Sequence, residues 1–141
     1  MARTNQPLSL VFDLDGTLID TAPDLVRVLN ETIALDGLKP VPLARARQLI
    51  GYGSLALIQD AFKDAGRALS ETRGQELRAH FLDAYAANIA QLSQPFADVE
   101  PVLTALKRSG AELTICTNKP GDMARSLMDV LGLSHYFVRI I

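Results

Sequence analysis

In Phe12-Asp13-Leu14-Asp15-Gly16-Thr17-Leu18, two carboxylates stand two residues apart at the end of an apolar run. In extended backbone that spacing sends both side chains to one side and turns Leu14 to the other. Two like charges so close are costly unless a cation sits beside them or one carboxyl keeps its proton, and an enzyme can use either arrangement. Gly16 lets the chain leave the strand sharply, and Thr17 offers a hydroxyl to orient a neighbouring carboxylate or a ligand oxygen. Taken alone, an Asp-Gly pair is an ordinary strand-ending turn. A second polar group, Thr117, Asn118 and Lys119, follows the run Leu113-Thr114-Ile115-Cys116. Taken alone, Thr117 is a β-former at a strand end and Lys119 a solvated turn lysine.

The elements that must position these residues are legible in the pattern. Leu8, Leu10, Val11 and Phe12 predict a strand buried on both faces. Thr21 is the expected N-cap of a long helix, with Pro23 in its first turn and Leu25, Val28, Leu29 and Ile33 on one face, closing near Gly37 and Pro40. A short helix is expected over 43–50, then a break at Gly51-Tyr52-Gly53-Ser54, then helical spacing through Leu55, Ile58 and Phe62 to Gly66. Ser70 opens a longer helix whose apolar face runs Leu77, Phe81, Tyr85, Ile89, Leu92. A helix over 99–108 stops at Gly110, a second strand covers 113–117, a helix runs from Met123 to Gly132, and a third strand begins at Phe137. This order is the grammar of a parallel, doubly wound α/β sheet. Residues 21–95 are too long for one crossover, so they are expected to form an inserted all-helical cap over a core made of 1–20 and 96–141.

Fourteen Lys and Arg against 16 Asp and Glu give a net charge of −2, without the basic block that tracks a phosphate backbone, so nucleic acid is not an expected partner. With 48% hydrophobic residues and a mean hydropathy of +0.14 the chain can bury a core. The apolar run before Asp13 is too short for a signal peptide or a membrane span. Lone Cys116, flanked by Leu113 and Ile115, is expected to be a buried, reduced thiol in a cytoplasmic protein. His80 and His135 lie apart without ligand-like partners and are expected to be surface or packing residues.

The string Asp13-Leu14-Asp15-Gly16-Thr17-Leu18, following an apolar strand, resembles the first signature of the haloacid dehalogenase superfamily. Thr117, within Ile115-Cys116-Thr117-Asn118-Lys119-Pro120, resembles its second, a lone Ser or Thr at a strand end. The resemblance implies a Rossmann-like core and a phosphatase in which Asp13 attacks phosphorus and Asp15 protonates the leaving alcohol. It also implies that Thr117 binds the phosphoryl group, with Asn118 and Lys119 on the turn facing the same site. Mg²⁺ would be held by the Asp13 carboxylate and the Asp15 main-chain carbonyl. Within the superfamily the motifs and the helical cap most resemble phosphoglycolate phosphatases, which implies a small phosphorylated substrate such as 2-phosphoglycolate. Sugar-phosphate mutases and pyrophosphatases share the aspartate pair, and a non-catalytic binding module would keep the same fold. Residues 51–54 resemble the cap loop that reaches toward substrate, and read equally as a helix-breaking turn.

Two further family motifs are missing: a lysine beyond the third strand and a downstream acidic pair. Gly121-Asp122 does not supply the latter, because it opens a helix immediately after the second motif. The expectation is therefore the N-terminal portion of a longer phosphatase, weakly active or inactive by itself. Its first strand would lie at a sheet edge, open to self-association.

Overall fold

The computed structural model describes residues 6–141, so residues 1–5 of the expected core segment 1–20 lie outside the described residues. Three parallel strands, β1 (Ser9–Phe12), β4 (Glu112–Ile115) and β5 (Arg139–Ile140), form one sheet in the order β1-β4-β5. Phe12 pairs with Ile115 and Ile115 with Ile140. Past the strand ends the ladder continues, with Cys116 N donating to Phe12 O and Thr117 N to Ile141 O. That register brings Thr117 to the same end of the sheet as Asp13. The crossovers are α5 (Val99–Arg108) into β4 and α6 (Gly121–Val130) into β5, as parallel pairing requires.

Between β1 and α5 the chain makes four helices: α1 (Ala22–Ala34), α2 (Leu43–Arg47), α3 (Ser54–Asp64) and α4 (Glu71–Ala87). Helix α1 contacts the other three, and α3 packs on α4. Their apolar faces join the sheet's inner residues in one core, in which Leu14, Ile19, Val28, Ile33, Ile58, Phe81, Leu113, Ile115 and Leu127 are almost fully buried. A two-residue antiparallel ribbon, β2 (Ile19–Asp20) with β3 (Gln94–Pro95), ties the chain's exit from the sheet to its return. Beside it lies Asp24, a fully buried carboxylate in the first turn of α1. Its Oδ2 accepts from Leu92 N, Ser93 N and Ser93 Oγ, and its Oδ1 from Arg27. Burial pushes this carboxyl up, but the hydrogen bonds from Ser93, Leu92 and Arg27 outweigh it and hold the group below its ordinary range.

Four expectations need correction. Strand β1 is not buried on both faces: Val11 is 66% exposed while Leu10 and Phe12 are half-buried, the alternation of an edge strand covered on one side. Cys116 is exposed, because it shares the parity of Glu112 and Thr114, opposite to buried Leu113 and Ile115. Helix α4 stops at Ala87, so Leu92 is not on its apolar face but 51% exposed, its backbone N–H drawn to Asp24. The helix expected over 43–50 is shorter, ending at Arg47. Among the described residues no helix is long and apolar enough to cross a membrane.

Candidate active site

Asp13 follows β1 directly, and Gly16 (φ 78°) turns the chain so that its own N–H donates to Ile19 O. Between the two aspartates Leu14 is fully buried, which leaves both carboxylates on the opposite side. Both line a cavity of about 220 Å³ between the sheet's C-terminal end and helices α3 and α4. Thr117, Asn118 and Lys119 line the same cavity, so the structure brings all five candidate residues together. Ligands of open α/β sheets bind at this end of the strands.

The two carboxylates are held differently. Asp13 is exposed to the cavity, and its Oδ1 accepts from Leu14 N at 2.7 Å. Asp15 is mostly buried, and its Oδ1 accepts from Thr21 Oγ1 at 2.7 Å and from Lys119 Nζ at 3.1 Å. Lys119 is the cation that makes the like-charged pair tolerable. Its side chain is 4% exposed, and its Nζ also donates to Tyr85 Oη at 2.9 Å on α4. Burial lowers the Lys119 pKa, and the neighbouring Asp15 carboxylate opposes that shift. Tyr85 is shifted upward, first by burial and then by the Asp15 charge, so its phenol stays protonated.

The second strand end is shaped by its own turn. Thr117 Oγ1 accepts from Lys119 N at 3.1 Å, which curls the loop before α6. Asn118 Nδ2 donates to Gly51 O at 2.6 Å, fastening the loop to the segment 51–54. That segment lines the cavity, with Gly53 (φ 92°) in a conformation suited to glycine and Tyr52 74% exposed. Thr17 is exposed and makes no side-chain hydrogen bond among the described residues; the hydroxyl that orients Asp15 belongs to Thr21, which caps α1 without using its side chain. Sequence reasoning gave Thr21 a capping role and Tyr85 a packing role; it did not single out Arg78, which also lines the cavity. Tyr85 and Arg78 are far from both motifs in sequence and beside them in space, whereas Thr21 lies only six residues beyond Asp15. His80 and His135 are exposed and outside the cavity. Asp122 opens α6 and accepts from its neighbour Met123 N.

The donors suit a hard divalent cation. Asp13 Oδ2 is unpaired, and the Asp15 main-chain carbonyl accepts no hydrogen bond from the described residues. No group of three or more metal-binding side chains occurs among the described residues. A small cation that keeps several waters and takes one carboxylate plus a ligand's phosphate oxygens fits such a sparse set.

A family model for haloacid dehalogenase-like hydrolase matches residues 9–141. The chain is 43% identical over 133 residues to a phosphoglycolate phosphatase of Caulobacter vibrioides, an alignment covering 94% of this chain and 56% of the relative. It is 41% identical over 139 residues to a phosphoglycolate phosphatase of Agrobacterium fabrum, covering 97% and 60%. A crystal structure described as a predicted phosphoglycolate phosphatase from Haemophilus somnus superposes with a TM-score of 0.86 at 29% identity, covering 99% of this chain and 64% of the other. The chain thus spans little more than half the length of the curated relatives it matches.

Proposed function

Because the chain belongs to the haloacid dehalogenase-like hydrolases, we propose that it carries the phosphoryl-transfer site of a Mg²⁺-dependent phosphomonoesterase, with 2-phosphoglycolate as substrate. The observation that carries this reading is the meeting of Asp13, Asp15, Thr117 and Lys119 in one cavity, with the two carboxylates held unequally. Asp13, open to the cavity and held by one hydrogen bond from Leu14 N, is the nucleophile. Its carboxylate oxygen attacks phosphorus, the bond from phosphorus to the alcohol oxygen breaks, and Asp15 gives its proton to that oxygen. Water then attacks the phosphorus of the aspartyl-phosphate, Asp15 takes the water proton, and the Asp13–phosphorus ester bond breaks.

Thr21 and Lys119 fix where Asp15 can deliver its proton. Lys119 also brings its positive charge to the cavity that an arriving phosphate dianion would enter. Thr117 Oγ1 and the Asn118 amide face the phosphoryl oxygens. The Asp13 carboxylate and the Asp15 carbonyl would hold Mg²⁺, which supplies positive charge against the phosphoryl oxygens. The helical segment 21–95 acts as the cap that excludes water, and the reducing cytoplasm is the expected compartment.

Phosphate release from 2-phosphoglycolate, with and without Mg²⁺, tests the reading. Release that needs Mg²⁺ and falls by about 10³-fold or more in Asp13→Asn supports it. Turnover retained in Asp13→Asn assigns the wrong nucleophile. Release from pyrophosphate alone, or isomerisation of a sugar phosphate, would move the protein to another chemistry of the family. Binding without turnover, in this chain and in one extended to the length of its relatives, would make it a module that only holds its ligand.

A further inference from the structure

The cavity contains two cations, and only one is committed. Lys119 is bonded to Asp15 and Tyr85. Arg78, on α4, has no salt bridge or side-chain hydrogen bond among the described residues, whereas Arg27, Arg45, Arg47 and Arg73 each pair with a carboxylate, and the other unpaired arginines, Arg67, Arg108, Arg125 and Arg139, are exposed and outside the cavity. Arg78 is nevertheless partly buried, beside Phe81 and Leu82 on the cavity wall. A partly desolvated guanidinium without an anion is incomplete, and its planar fork is shaped for a carboxylate.

Position along the helix gives the separation. Arg78, Phe81, Leu82 and Tyr85 follow i, i+3, i+4, i+7 spacing and present one face to the cavity. Tyr85 marks the end where Lys119 and Asp15 stand, and Arg78 lies about 10 Å up the helix axis from it. The long Arg78 side chain covers part of that rise, so a ligand phosphorylated at the aspartate end meets a second positive charge across an apolar wall of Phe81, Leu55 and Leu57.

We propose that Arg78 is the specificity-determining residue of this site, and that it selects phosphomonoesters whose alcohol part carries a carboxylate. The inference rests on the phosphomonoester reading above, and its test separates the two. The probes are 3-phosphonopropionate, a non-hydrolysable isostere of 2-phosphoglycolate, and propylphosphonate, which has the same length without the carboxylate. Affinities are measured by titration calorimetry with Mg²⁺ present, for the wild-type chain, Arg78→Gln and Arg78→Lys.

The wild type is expected to prefer the carboxylated probe by about tenfold to a hundredfold, the range of one charge-assisted contact. Arg78→Gln is expected to bring the two affinities within about threefold, and Arg78→Lys, which keeps the charge but not the fork, to fall between. A preference that survives Arg78→Gln, a wild type without preference, or loss of both probes in Arg78→Gln overturns the role of Arg78 and leaves the phosphatase reading standing. A wild type that binds neither phosphonate removes the phosphomonoester reading, and this inference falls with it.

Discussion

Lys119 Nζ stands 2.9 Å from Tyr85 Oη and 4.3 Å from the centre of the Tyr85 ring, so a lysine at the end of the sheet is seated against a helix of the inserted segment. The same nitrogen reaches Asp15. The contact therefore joins the position of α4 to the charge beside Asp15, and the two groups should be energetically coupled. In a double-mutant cycle of Tyr85→Phe and Lys119→Met, urea unfolding is expected to give a coupling energy of about 1 kcal/mol. A coupling of zero would show that the two groups do not meet in solution.

Thr21, the N-cap of α1, donates its hydroxyl to Asp15 and not to the helix's first turn. Thr21→Val keeps the shape and removes the donor, so kcat should fall about tenfold with little change in KM, the cost of one hydrogen bond to a charged group. Thr21→Ser should restore most of the loss. Equal rates in Val and Ser variants would show that the methyl group, not the hydroxyl, matters at this position.

Asp24 ties the start of α1 to the returning chain at Leu92 and Ser93, and its pKa is lowered from the ordinary 3.8. A carboxyl whose folded pKa is depressed stabilises the fold fully above its unfolded pKa, and loses that contribution as the pH falls through the folded value. The urea midpoint should therefore hold from about pH 7 to about pH 5 and drop as the pH falls further, and Asp24→Asn should flatten part of that acid slope. At neutral pH the substitution is expected to cost about 3 kcal/mol, because Asn turns an N–H toward donors that Asp24 accepts from. An acid slope identical in wild type and Asp24→Asn would assign the acid sensitivity to other groups.

The parallel order of strands and helices was legible because each element carries its own periodicity: the apolar runs at 10–12 and 113–115, the 3- and 4-residue spacing through Leu25, Val28, Leu29 and Ile33. The two strand-end motifs were legible because their strings resemble the family's signatures; taken alone, Asp-Gly is a common turn and Thr117 a common strand-ending residue. What stayed hidden depends on tertiary contact. Two-residue strands such as Ile19–Asp20 and Gln94–Pro95 have no period to detect. Periodicity marked Phe81 and Tyr85 as inward-facing, but inward includes both core and cavity, and only the fold shows that Tyr85 and Arg78 share a wall with the aspartates. Cys116 followed the alternation of its strand rather than the polarity of its neighbours in sequence.

Strand β1 pairs with β4 on one side only among the described residues, and its outer edge carries unpaired backbone groups beside Val11, 66% exposed, and Leu8, 61% exposed. An apolar open edge is a template for another strand, and native proteins commonly protect such edges with charge. Here the exposed face of β1 bears no charged side chain: Ser9 and Val11 occupy it. The chain is therefore expected to self-associate, its sedimentation coefficient rising with concentration in the micromolar range and above. Val11→Lys places an ammonium on that face, and lysine is a common natural edge blocker, so the variant should sediment as a monomer over the same range. The substitution lies outside the cavity, so phosphonate affinity should be unchanged. If wild type and Val11→Lys sediment alike at every concentration, the edge of β1 is not the surface through which copies meet.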